Sequence, residues 1–255
     1  MRKIVTLATL VVREALCTHF FVVAISLLIV GFGVAMFVGQ VAIIETRAYQ
    51  SSLLAAFLRL SGVYIISLFV ISSMVHEFND RLIYLWLSLP MQRSTYLFGK
   101  FSGFALIAFI TTVFFSSALL IYVPYQQVGI WALSFFCELL IIIAISLLCV
   151  LTFHQTVKAF SAVLGFYILA RSISVIQLMV SGSLFDSASW VDQLINIIIN
   201  LLAMLLPNLE FFTRSEWLVY HTGQLEILSG IFIQTIIYTL LLITMSLFDL
   251  HRKNL

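Results

Sequence analysis

Three ionisable side chains of this 255-residue chain, Arg59, Glu138 and Arg171, stand inside long apolar runs. An ionised group is expensive in hydrocarbon, so each needs an opposite charge, a path to water, or a stem long enough to carry its head to the surface. Glu138 is the one carboxylate of the set, and two chemistries are open to it. It can form a structural ion pair with a guanidinium, or it can join a charged lining of an outward-opening cavity and couple protons or ions. Arg171 is the expected partner, with Arg59 as the second choice or as a snorkelling residue.

Other constellations fall short. The five histidines, His19, His76, His154, His221 and His251, lie far apart with no metal-ligand spacing. Cys17, Cys137 and Cys149 all sit in apolar runs, and an odd count in such runs implies no disulfide framework. Gly99-Lys100 lacks both the upstream glycine and the following hydroxyl residue of a phosphate loop. The chain therefore has no catalytic group set and no ATP site of that kind. Active movement of a substrate would need an ion gradient or a separate ATPase.

The elements that place these charges follow from composition. Hydrophobic residues make up 62% of the chain and charged residues 9%, against about 45–50% apolar in soluble domains. Crossing about 30 Å of hydrocarbon takes about 20 apolar helical residues. Segments near 18–42, 53–75, 101–123, 130–152, 159–181 and 227–248 meet that need. Runs of this length without period-two alternation exclude strands, so the expected fold is all-α and polytopic, one transmembrane domain over residues 1–255. With both termini inside, Arg2, Lys3, Arg13, Arg81, Arg93, Lys100, Lys158, Arg252 and Lys253 lie in the cytoplasm, and only Arg47 and Arg214 lie outside. Counting about 1.5 Å per residue puts Arg59, Glu138 and Arg171 roughly 9–15 Å deep in the outer half. The net charge of +2 is too small to argue for nucleic acid; lipid is the expected surrounding.

Residues 1–14 read as an interfacial amphipathic helix, with Lys3, Thr6, Thr9 and Arg13 opposite Ile4, Leu7, Leu10 and Val11. The outer connection 182–226 is more than a loop. Ser189-Trp-Val-Asp192 has the capping-box pattern and opens an apolar stretch that ends at Pro207-Asn208. That stretch is short for a span, and Asp192, Asn196 and Asn200 give it a polar stripe, so a re-entrant outer hairpin is expected between spans five and six. Gly99 with Gly103, and Gly31 with Ala35 and Gly39, are small-residue strips for close helix packing.

Residues 76–100 form a cytoplasmic region between the second and third spans. Leu82, Leu85, Trp86 and Leu89 recur at i, i+3, i+4 and i+7, which predicts a short helix with one apolar face, stopped by Pro90. Ser94 is placed to cap the next helix. Glu77, Arg81-Leu-Ile-Tyr84, Leu87-Ser-Leu-Pro90, Arg93, Tyr96-Leu and Gly99-Lys100-Phe, in that order, resemble the signature of ABC-2-type transporter permeases. Leu206-Pro-Asn-Leu-Glu-Phe-Phe212 and Trp217-Leu-Val-Tyr220 are similar to the region before the sixth span in the subgroup that includes copper-site maturation permeases. Asp80-Arg81 stands where many members have Gly-Thr.

The resemblance implies a half-transporter in a bacterial inner membrane, with two permeases paired and each docking a separately encoded ABC ATPase that binds ATP and Mg. Glu77, Arg81, Leu82, Leu85, Trp86, Leu89 and Arg93 would form the docking surface, and this chain would be a transport subunit rather than an enzyme. The small outer loops leave no domain to capture cargo, so recognition falls to the span interface or to a periplasmic accessory protein. The competing reading is a self-sufficient secondary transporter or channel that uses Glu138 for ion coupling. Against it stand the absence of an internal repeat and of a second acid within the spans.

Overall fold

The computed structural model describes residues 2–41, 46–80, 92–181, 190–213, 217–218 and 225–252, and every element among them is helical. The helices are α1 (Arg2–Cys17), α2 (Phe20–Val41), α3 (Thr46–Asn79), α4 (Arg93–Leu119), α5 (Tyr125–Phe153), α6 (Thr156–Ser181), α7 (Trp190–Leu205) and α8 (Leu225–Arg252). Six of these, α2 to α6 and α8, are long and apolar enough to cross a membrane, which makes this a multi-pass membrane protein. Each overlaps one of the segments found from apolar length. The clearest difference is α4, which begins at Arg93, so Tyr96 and Lys100 ride on its first two turns. Ser94 lies inside the helix and does not cap it; Gln92 occupies the cap position in extended conformation, without a side-chain cap bond.

The sequence of α5 is apolar on every side, and its burial follows: Ile141, Ile142, Ile143 and Ala144 are consecutive and wholly buried. It is the hub, packed against α3, α4, α6 and α8. Helix α2 lies at the periphery against α3 and exposes Val22, Ile25, Ile29 and Phe37, while Ala35 is buried. Its small-residue strip faces α3: a Cβ on Gly31 would come within 2.9 Å of the Phe57 ring.

The Gly99/Gly103 pair serves α1. Leu7, Val11 and Ala15, at i, i+4 and i+8, bury one stripe of α1, and α1 packs along α4. A Cβ on Gly103 would fall 2.8 Å from Val11 Cβ and 3.1 Å from the Ala8 backbone, so neither neighbour can yield cheaply. Gly103→Leu is expected to cost about 1–3 kcal/mol by overpacking, read as a lower unfolding temperature in detergent and faster tryptic cleavage at Arg13. Gly165→Ala, where nothing lies within 4 Å of the new Cβ, should be neutral or stabilising by about 0.5–1 kcal/mol.

Candidate functional site

One face of α5 is built to hold a guanidinium. Trp131, Ser134, Phe135 and Glu138 stand at i, i+3, i+4 and i+7, and therefore on one stripe, and Arg59 of α3 points into it. Arg59 Nη1 lies 3.2 Å from Glu138 Oε2, with both side chains removed from solvent. Its Nη2 donates to Ser134 Oγ at 3.3 Å. The Arg59 Cζ sits 5.3 Å from the Trp131 ring centre and 5.8 Å from that of Phe135, within cation–π range. The expected pairing of Glu138 with Arg171 is thus corrected: the partner is Arg59, which is buried and does not snorkel. Arg171, half-buried on α6, donates from Nη1 to the Tyr167 hydroxyl at 3.0 Å.

The partner that side-chain reasoning missed is a backbone carbonyl. Arg59 Nη1 and Ser134 Oγ both donate to the Phe212 carbonyl. Phe212 belongs to the non-helical stretch after α7, where Leu209 and Phe212 are wholly buried. Pro207 ends the α7 hydrogen-bond ladder, so the chain that follows carries carbonyls that no helix satisfies and lipid cannot pair; for Phe212 the buried donor pair does so. Two contacts fix the direction of this segment. Gln177 Nε2 donates to Asn200 Oδ1 at 3.3 Å, and Leu209 N donates to the Ala170 carbonyl at 3.3 Å. As the chain number rises from 200 to 209, its α6 neighbour falls from 177 to 170, so the segment runs back antiparallel to α6. Of the polar stripe, Asn200 is exposed and makes the Gln177 bond; the side chains of Asp192 and Asn196 lie outside the described residues.

A second polar cluster closes the opposite end of the bundle. Glu77, in the last turn of α3, accepts from the Tyr96 hydroxyl at 2.7 Å and from Lys100 Nζ. Tyr96 and Lys100 are i and i+4 on α4, and Lys100 is 3% exposed, so the ion pair is well shielded. Arg93 reaches α8 instead: its Nη1 donates to the Leu250 carbonyl at 2.7 Å and the His251 carbonyl at 3.3 Å. A cation on the last carbonyls of a helix meets the negative end of its dipole. Of the seven residues expected to dock a partner, Glu77 and Arg93 are therefore engaged within the bundle. Arg81, Leu82, Leu85, Trp86 and Leu89, with the helix expected over them, lie outside the described residues.

An open groove of about 910 Å³ runs along α2 and α3, with Glu14, His19 and His76 at one end and Arg171 beside Leu60 and Tyr64 toward the other.

The site therefore defines a multi-pass protein with a buried ion pair at one level of the bundle and a carboxylate clamp at the other. The chain matches no protein-family model, and no curated protein matches it.

Proposed function

We propose that the chain is the transmembrane permease subunit of an ATP-driven ABC-2-type exporter in a bacterial inner membrane, paired with a second permease and docked to separate nucleotide-binding subunits that hold ATP and Mg. The observation that carries this reading is the Glu77–Tyr96–Lys100 clamp. The cytoplasmic segment 81–91 is tethered on either side by α3 and α4, and a docking segment passes on a partner's motion only if its anchoring helices move as one. The clamp joins them, and Arg93 ties α4 to α8 as well. These are the motif residues that the family resemblance singles out. Burial of Glu138 against Arg59 weighs against ion coupling through Glu138, since a coupling carboxylate must exchange its ion with water.

In this reading the Glu77 end is cytoplasmic, α1 is an interfacial helix held on α4, and 182–226 is a re-entrant outer hairpin. The antiparallel return of α7 and the burial of Phe212 support the last assignment. Single cysteines at Ser187 and Gln224, in a chain without native cysteines, should label from the periplasm, and those at Ser94 and Asn254 should not. Periplasmic labelling at Asn254 would make the 190–206 segment a seventh span and reverse the C-terminus. For the function itself, extraction of the chain from its native membrane in mild detergent should bring ATP hydrolysis with it; extraction without any would favour the self-sufficient carrier.

A further inference from the structure

Among the described residues the charges at this level of the bundle do not balance. Arg59 and Glu138 neutralise each other at 3.2 Å, which leaves Arg171 as a second guanidinium at the same level, and Glu138 is the one carboxylate in that cluster among the described residues. Among the described residues a single hydrogen bond, to Tyr167, holds Arg171, and most of its five N–H donors are left over by that bond. Arg171 also lines the α2–α3 groove, whose walls include Phe57, Leu60, Tyr64 and Leu68. From Leu60 to His76 the α3 wall runs about 24 Å at 1.5 Å per residue, close to the length of an extended lipid chain. Two guanidiniums share one carboxylate there, and an apolar wall of that length with one cation in excess at membrane depth has the chemistry of a receptor for an anionic amphiphile.

We infer that the groove is a binding site for anionic amphiphiles, with the anionic head on Arg171 and the hydrocarbon chain along the α3 face between Leu60 and His76. This rests on the export reading for its purpose, since the bound molecule would be cargo, but binding itself requires no ATPase. A neutral chain of equal length gains the same apolar contact and lacks the charge-assisted hydrogen bonds, which are worth a factor of about ten or more. Arg59 cannot substitute, because Glu138, Ser134 and Phe212 occupy it.

The test uses the purified chain in nanodiscs of zwitterionic lipid, with a diazirine-bearing long-chain alkyl sulfonate and the corresponding alcohol as probes. The sulfonate should crosslink to α2 and α3 groove residues about tenfold more than the alcohol at equal concentration. Arg171→Gln should remove that preference and leave alcohol labelling unchanged, while Arg171→Lys should retain it. Leu68→Trp, about 12 Å along α3 from Leu60, fills the groove away from the charge and should lower labelling by both probes. Equal labelling by sulfonate and alcohol, or an unchanged preference in Arg171→Gln, would overturn the inference and leave the groove to bulk lipid. A chain that binds sulfonate yet extracts without an ATPase would refute the exporter reading alone; one that carries an ATPase but shows no preference would refute this inference alone.

Discussion

Arg59→Met is expected to destabilise the subunit by about 3–5 kcal/mol, the range for removing one partner of a buried ion pair. The loss has two sources. Glu138 keeps a carboxylate with no solvent exposure, and the Phe212 carbonyl loses one of its two donors, with only Ser134 remaining. Arg59→Met combined with Glu138→Leu should recover much of the loss, because no buried carboxylate is then left unpaired and both replacements are apolar. Arg171→Met should cost only about 0.5–1.5 kcal/mol, the scale of a single hydrogen bond, since among the described residues it makes one bond, to Tyr167. Denaturant titration in mixed micelles reads all of these. Equal losses for Arg59→Met and Arg171→Met, or a double variant no better than the single one, would refute the assigned pairing.

If the proposed docking holds, Leu85→Asp with Trp86→Asp is expected to release the nucleotide-binding subunit, with at least tenfold less recovered alongside this chain. Each substitution puts a carboxylate on the apolar face of the expected coupling helix, where docking would strip it of water without a partner. The variant should still insert and unfold at the parental temperature, because the clamp of Glu77, Tyr96 and Lys100 lies on the flanking helices and is untouched. Gln92→Asp is the control: Gln92 is exposed just before α4, and its charge should leave the complex intact. An undiminished complex in the double variant would remove segment 81–91 as the docking element.

The six spans were legible because apolar length is a one-dimensional property that composition carries directly. Their ends were less so: α3 continues to Asn79 and α4 starts at Arg93, where packing rather than hydropathy sets the boundary. Depth counting puts Arg59, Glu138 and Arg171 at one level, and Arg59 and Glu138 do meet, but depth says nothing of azimuth. The stripe Trp131, Ser134, Phe135 and Glu138 marks the face of α5 that receives a cation; which helix supplies that cation depends on the order of helices around the hub, which no residue type encodes. The Phe212 carbonyl has no side-chain signature at all, although Pro207 signals that some carbonyl nearby must find a donor. Glu77 and Lys100 stand 23 residues apart on different helices, so only the motif linked them before their contact was visible. The small pair Gly99 and Gly103 announced close packing without its partner, which proved to be α1.

In the proposed function this chain moves its substrate with energy from a separate ATPase. Intact-mass measurement of the complex extracted from its native membrane tests it most directly. The expected assembly holds two permease chains and two nucleotide-binding subunits, the latter lost when Leu85 and Trp86 are both changed to Asp. An assembly made of this chain alone, with no nucleotide-binding subunit at any detergent concentration that preserves its fold, would contradict it.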